Sequence, residues 1–415
     1  NRLPCMIDEL IANEFAFPLL EPFLEEKAPI VLGESLQIMT ERAKAAIKKL
    51  ILKLKELKLF IAKEYMPCTR KICGILGWEN GAQNYRDTLR WHTSLNVTPE
   101  EVHQKGLDEV DRIHQQMLKV MDKLGFKGSV QDCFTTLKKN PDFLLTDPEA
   151  ALQRYRDIIF QRIMPELPKY FKNLPNLPIV VKHSSQDGVR GEYEPGSKDR
   201  MRPGTFYANV RRPEDNPTFS MVSMTLHETV PGHHLAESHS MVSDLPLFRK
   251  HMNWRAISAP FYFPFYNSYA EGWALYAEFL GEEMGIYRDD FEFWDRARAV
   301  EYVLNYTGLT REAADIEIDR YITWPGQACG YKMGELKIKE LRQKATNELG
   351  QLFDLPEFHD IVLSNGPMPL DILEDLIDNW IRDVKSAATP PEISSKCSMN
   401  PDNTSRNQQQ VFNES

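Results

Sequence analysis

Long apolar runs are missing from this chain. The most continuous one, Ile257 to Tyr266, is ten residues and holds two prolines. It falls short of the ~20 residues that a membrane-spanning helix needs. A surplus of positive charge is missing too. Fifty basic against 60 acidic residues give a formal net charge of −10, which argues against the basic footprint of a general nucleic-acid binder. Cysteine is scarce. There are six in 415 residues, none spaced Cys-x-x-Cys, so a structural zinc ribbon is not supported. A Cys68–Cys73 bridge is allowed but not required. No internal repeat of fixed period occurs. The chain opens Asn1-Arg2-Leu3-Pro4 without an initiator Met or a signal-peptide pattern, which suits a mature chain or a fragment equally. Four Asn-x-Ser/Thr sequons, at Asn96, Asn305, Asn403 and Asn413, arise often by chance and point only weakly to secretion.

What is present is an ordinary globular balance, 42% hydrophobic and 27% charged, in a chain long enough for one large core or two domains. The N-terminal half reads as helical. Between Glu41 and Glu64 the residues Ile47, Leu50, Ile51, Leu54, Leu57 and Ile61 recur at three- and four-residue steps, with lysines filling the rest. A basic amphipathic helix of this kind can serve a membrane surface or a calmodulin-type partner. A core-facing stripe with a solvated lysine face explains the pattern more simply. A second helix is expected over Pro99–Leu124, with Thr98 as N-cap, Pro99 at the first position and Glu101 completing a capping box. The Pro- and Gly-rich stretch from Asn173 to Pro217 holds two expected short strands, Pro178–Val181 and Gly204–Val210. Helical signals resume near Ser220 and run to about Val384. The polar tail from Ser386 reads as disordered.

Chemistry concentrates in Leu226-His227-Glu228-Thr229-Val230-Pro231-Gly232-His233-His234. Zinc hydrolases place two His four residues apart on one helix, with an intervening Glu as general base. That spacing fails here, because Pro231 stands four after His227. In a straight helix His234 returns to the same face but lies about 10.5 Å along the axis, while His233 faces away. Pro231 cannot donate to the His227 carbonyl and clashes with it, and Gly232 tolerates unusual dihedrals. A local insertion at Pro231-Gly232 would bring His233 into the second ligand position, with His234 as the alternative. A third ligand is expected from a later element. The candidate is Glu271, entering the aromatic-rich segment Tyr269–Glu278, where an unpaired carboxylate is costly. Glu278, two turns on, reads as structural or as a partner of a ligand. In the cluster from Arg320 to Gly334, an Arg can grip a carboxylate and a Tyr can stabilise an oxyanion.

These residues resemble a known family. His227-Glu228-x-x-Pro231-Gly232-His233-His234, then Glu271-Gly272-Trp273-Ala274-Leu275-Tyr276, then Arg320-Tyr321-x-x-x-Pro325-Gly326-Gln327-Ala328-x-x-Tyr331-Lys332-x-Gly334 are similar to domain-of-unknown-function family 885. Arg202-Pro203-Gly204-x-Phe206-Tyr207 and Phe358-His359-Asp360 fit as well. The resemblance runs from about Glu64 to about Val384. It implies kinship with zincin metallopeptidases of the gluzincin type, akin to the carboxypeptidase Taq and thimet oligopeptidase groups. The implied fold is mostly α, with a small β-sheet near the active-site cleft. The implied organisation is an N-terminal helical segment over 1–63, a catalytic domain over 64–385 and the tail over 386–415. The implied activity is zinc-dependent hydrolysis of a peptide substrate. Carried across, His227, His233 and Glu271 are the expected zinc ligands and Glu228 the general base. Tyr331 is the expected oxyanion donor, and Arg320 and Lys332 are candidates for holding a substrate carboxylate. Family members are often secreted or membrane-anchored, which suggests an extracytoplasmic setting. One departure stands out: the family pattern has a helix with Asp-x-Gly-x-His before the Arg-Tyr segment, and none occurs here between Asp295 and Arg320. An inactive peptide-binding relative is therefore the rival expectation.

Overall fold

A computed structural model of the chain describes residues 2–12, 18–23, 33–72, 74–184, 190–197, 201–211, 216–250, 266–289, 291–292 and 311–388. The apolar run over 257–265, the segment where the Asp-x-Gly-x-His helix is missed and the tail from 389 onward lie outside these residues. So do Cys73, Asn305, Asn403 and Asn413. The chain divides into two compact units, Asn1–Ala82 and Gln83–Ser415.

The first unit is helical. α1 (Arg2–Ile11) and α2 (Gly33–Phe60) are its main elements, joined by the Lys58–Asp8 ion pair at 2.5 Å. Its core is Leu20, Ile47 and Ile51, with Ile11, Ala43 and Leu54 against them. The expected stripe on α2 is only partly inward. Ile47, Ile51 and Ile61 are buried, but Leu50 and Leu57 are exposed. The reason is angular. The inward line runs through 47, 51, 54, 58 and 61, and at 100° per residue positions 50 and 57 fall to its side.

The second unit begins with α3 (Gly81–Thr93), which opens at the boundary, followed by α4 (Pro99–Lys123), α5 (Val130–Lys139) and α6 (Pro148–Asp157). α4 starts as its sequence directs. Glu101 N donates to Thr98 Oγ1 at 3.2 Å, and Thr98 N donates to Glu101 Oε2 at 2.7 Å. A small sheet follows, built from β1 (Ile179–His183), β2 (Gly191–Glu194) and β3 (Gly204–Ala208) in the order β1-β3-β2. β1 runs parallel to β3, with Ile179 opposite Gly204, and β2 runs antiparallel to β3, with Gly191 opposite Ala208. β2 was not expected: its Gly-Glu-Tyr-Glu has one apolar side chain and no alternation into a core.

Then come α7 (Met221–Glu228), α8 (His233–Val242), the single turn α9 (Leu247–Lys250), α10 (Asn267–Glu283), α11 (Arg311–Thr323), α12 (Cys329–Leu349), α13 (Leu355–Ser364) and α14 (Leu370–Ala388). The architecture is mostly helical with one small three-stranded sheet. The main core joins Phe206 of β3, Met221 and Leu226 of α7, Trp273 and Tyr276 of α10, Ile338 of α12 and Phe358 of α13. α10 and α12 meet through glycine. A Cβ on Gly272 would run into the backbone of Gly334, and a Cβ on Gly334 would overlap the Ser268 carbonyl oxygen. The two helix backbones touch there, which no larger residue permits.

Gly334→Ala should therefore lower unfolding stability by about 2 kcal/mol or more, through overpacking against rigid backbone. Gly106, inside α4, has open space where a Cβ would sit, so Gly106→Ala should stabilise by ~0.5–1 kcal/mol through helix propensity. Urea unfolding of both variants checks the contrast. Equal effects would mean the glycine contact does not hold the helices together.

Candidate functional site

α7 ends on Leu226, His227 and Glu228, and its hydrogen-bond ladder then changes step. Thr229 N still donates to Thr225 O, four residues back, at 2.9 Å. The Leu226 carbonyl accepts instead from Gly232 N, six residues on, at 3.0 Å. The Thr229 carbonyl accepts from His234 N, five on, at 3.0 Å. Two residues are inserted before α8 begins at His233. Pro231 has no N–H to give, which is why the ladder cannot continue regularly. The Pro231 carbonyl is satisfied by Trp273 Nε1 of α10 at 2.8 Å. Gly232 is required here, since a Cβ would collide with the carbonyl oxygens of Leu226 and His227. The six-residue spacing thus does what a four-residue spacing does in a straight helix.

His227 and His233 face each other, ring centroids 4.9 Å apart and nearly perpendicular. Glu271, from the first turns of α10, reaches between them. Its Oε2 lies 3.5 Å from His227 Nε2 and 3.3 Å from His233 Nε2. One donor atom from each of the three lies within 4.8 Å of the other two. The Glu271 side chain is only 12% exposed, and its Oε2 is buried without an aligned hydrogen-bond donor. A buried carboxylate oxygen aimed between two imidazole nitrogens is a donor set that fits a cation. Glu278, two turns along α10 on the same face, accepts from His227 Nδ1 at 2.8 Å. That bond fixes the ring and leaves Nε2 directed at Glu271, as outer carboxylates do for metal-binding imidazoles.

His234 is turned away. Its Nε2 lies 3.2 Å from the Leu177 carbonyl and its Nδ1 2.9 Å from the Tyr193 hydroxyl of β2. The pairing assigns Nε2–H as donor to Leu177, with Tyr193 donating to Nδ1. Burial, opposed by the Leu177 carbonyl, pushes His234 down to about 4, so it stays neutral.

Glu228 is buried beside the cluster. Burial lifts its carboxyl above the usual range, and the charges of His227 and His233 oppose that. Tyr331, on the first turn of α12, stacks on His227 with ring centroids 6.5 Å apart and planes 13° from parallel. Burial holds its hydroxyl well above its ordinary value, and the Glu271 charge adds to this, so it is a neutral donor. Arg320 lies behind it, its guanidinium 5.7 Å from the Tyr331 ring and 5.2 Å from that of Tyr321. Nε and Nη2 donate to Glu317, at 3.2 and 2.6 Å, and Nη1 donates to Gln327. Lys332 pairs with Glu335 and lies 3.8 Å from Glu109.

One acidic residue went unnoticed in the sequence. Glu237 stands one turn after His233 on α8, and burial, opposed by His233, pushes it up to about 7. The four-residue spacing from His233 was the available signal, because it puts both on one face.

The model of the family described as "Bacterial protein of unknown function (DUF885)" matches residues 6–293 and 291–377. The two stretches meet next to the place where the sequence departs from the family pattern. No curated protein matches the chain. Among solved structures, one described as "the putative lipoprotein from Colwellia psychrerythraea" is 28% identical. Its TM-score is 0.82, with 92% of this chain and 69% of that chain covered. A second, "a putative lipoprotein of unknown function from Shewanella oneidensis", is 17% identical. Its TM-score is 0.62, with 90% and 73% covered. At that identity the likeness is one of fold.

The cluster makes stability depend on pH in the metal-free protein. Burial pulls His227 down, but Glu271 and Glu278 outweigh it and hold the imidazole well above its ordinary 6.5. Its contribution is full below about 6.5 and is lost as pH rises through the folded value. Burial pushes Glu271 up, but His233 and His227 outweigh it and hold it far below its ordinary 4.5. Its contribution is present above about 4.5 and is lost as pH falls through the folded value. Both act in full between about 4.5 and 6.5. Glu271→Gln should lower the His227 midpoint, read by NMR titration of the imidazole on chelator-treated protein. An unmoved midpoint would assign the shift to Glu278 alone.

Proposed function

We propose that this chain, which belongs to the DUF885 family, is a zinc-dependent metallopeptidase with a zincin-like helical fold. The observation that carries the reading is the convergence of His227, His233 and Glu271 with the buried carboxylate of Glu228 alongside. Two imidazoles and a carboxylate are a three-ligand set of the kind catalytic zinc takes, leaving a further position open. When bound, zinc supplies a Lewis acid for the scissile carbonyl and lowers the pKa of a bound water toward ~7.

The chain's own residues supply the rest. Glu228, with its proton affinity raised by burial, takes a proton from the attacking water and passes it to the departing amine. Tyr331, neutral and adjacent to His227, donates its hydroxyl proton in a hydrogen bond to the oxyanion. Glu278 keeps His227 oriented. β2 lies beside α7, close enough that a Cβ on Gly191 would run into Met224. Among the described residues β2 pairs only with β3, and an extended peptide would add to the sheet at its other edge. Arg320 sits behind Tyr331 with its guanidinium held by Glu317 and Gln327, so its contribution is to position that ring. An extracytoplasmic setting agrees with the lipoprotein description of the similar structure from Colwellia psychrerythraea.

A second reading has a specific observation behind it. The family match breaks at 291–293, where the Asp-x-Gly-x-His helix is missed. A chain that binds peptides without cleaving them would follow if that helix completes the cleft.

Metal content by mass spectrometry should give one zinc per chain, lost in His227→Ala. Glu228→Gln should keep the metal and lose ~10²–10⁴-fold in turnover on a peptide library, the range a general base contributes. Full activity in that variant would falsify its role as the base. Peptide affinity with zinc bound and no cleavage would favour the second reading. Well-folded protein without zinc would remove the first.

A further inference from the structure

Eight basic residues and one acidic residue, Glu56, fall between Arg42 and Lys63, in a chain whose net charge is −10. α2 carries nearly all of this run. Its inward face is occupied by Ile47, Ile51 and Leu54. Its outward face is not simply polar. Ile38, Leu52 and Leu59 stand 58%, 59% and 56% exposed, and Phe60 is nearly half exposed. With Ala45 they form a line at seven-residue steps, 38, 45, 52 and 59, which stays on one side of a helix.

The positions beside that line choose between partners. A second helix would need apolar residues three or four places after each one, to make a two-position seam. Those places hold Glu41 and Arg42, Lys48 and Lys49, Lys55 and Glu56. The line is therefore single and flanked by charge, mostly positive. Such a face suits a surface that is apolar inside and anionic at its edge. Leucine and phenylalanine enter the acyl boundary while the lysine stems lie along it and lift their ammonium groups to the headgroups. No described helix is long and apolar enough to cross a membrane, so the contact would be peripheral.

We propose that the outward face of α2 binds an anionic lipid surface, with Leu52, Leu59 and Phe60 inserted and Lys49 and Lys55 on the headgroups. The inference does not rest on the metal site and stands or falls separately from the peptidase reading.

The test is co-sedimentation of the full chain with vesicles of phosphatidylcholine alone or mixed with phosphatidylserine. Binding should require phosphatidylserine and weaken as salt rises. Lys49→Gln with Lys55→Gln should weaken it about thirtyfold, at roughly one kcal/mol per charge. Leu52→Ser with Leu59→Ser should cost about tenfold or more through lost apolar insertion. Circular dichroism of each variant separates lost binding from lost helix. Wild-type protein that stays in solution with phosphatidylserine vesicles overturns the proposal, as does binding indifferent to both pairs of substitutions. A dimer in sedimentation velocity that Leu52→Ser with Leu59→Ser dissolves, without vesicle binding, would give the face to a second copy of the chain instead.

Discussion

A carboxylate taken out of water must be compensated, and in this protein that carboxylate is Glu271. It enters α10 among Tyr269, Trp273 and Tyr276, three of the largest fully buried side chains among the described residues. Alone it would be costly enough to disrupt the core. The surrounding structure reads as a set of answers to it. α7 and α8 must each present an imidazole to the same oxygen, which requires the two-residue insertion at Pro231-Gly232. That insertion leaves a free carbonyl, which Trp273 takes. Glu278 then orients the nearer imidazole. With Glu228 and Glu278 added, three carboxylates gather around two imidazoles.

Much of this was legible in the sequence because its causes are local. The capping box of α4 lies within four residues of Thr98. The need for a break after His227 follows from Pro231 and Gly232 alone. The suspicion about Glu271 came from finding a carboxylate in an aromatic run. The Pro231-Gly232 break put His233 ahead of His234, and the structure brings His233 to the cluster; what holds His234 away was not legible. The partners that draw His234 away, Leu177 and Tyr193, are 57 and 41 residues distant in the chain. β2 was missed for a related reason: its residues carry no strand pattern, and its pairing with β3 makes it a strand. The outward apolar line of α2 was also missed, since one set of apolar residues at helical spacing had already been assigned to a core. Only placing Ile47 and Ile51 inside shows that Ile38, Leu52 and Leu59 are left over.

Other motif residues turn out to serve packing. His359 sits at the centre of a chain of hydrogen bonds, with Arg342 Nη1 donating to the Tyr276 hydroxyl at 3.0 Å. That hydroxyl lies 2.8 Å from His359 Nε2, and His359 Nδ1 lies 2.8 Å from the Tyr170 carbonyl. Burial, opposed by the Tyr170 carbonyl, pushes His359 down to about 3. A neutral, doubly bonded imidazole has no lone pair or proton left for chemistry. A histidine in a recurring motif is therefore no guide to its role until both nitrogens are accounted for. His359 and His234 fail that accounting as ligands, whereas His227 keeps Nε2 directed into the cluster.

No Asp-x-Gly-x-His motif occurs between Asp295 and Arg320, and the donor set is assembled without one. His227, His233 and Glu271 all precede that segment, and Tyr331 follows it, so chain connectivity alone would let the two sides drift apart. What joins them is the contact between Gly272 and Gly334, where α10 and α12 run backbone against backbone. Glu271 is the neighbour of the first glycine, and Tyr331 lies three residues before the second. Asn267 and Gln327 reinforce the same crossing through two hydrogen bonds, Asn267 Nδ2 to the Gln327 carbonyl at 2.9 Å and Gln327 Nε2 to Asn267 Oδ1 at 2.8 Å. The placement of Tyr331 over His227 is thus set by direct packing and does not depend on the intervening segment. A loss there would act on what reaches the site, and leave the site's own geometry to the glycine crossing.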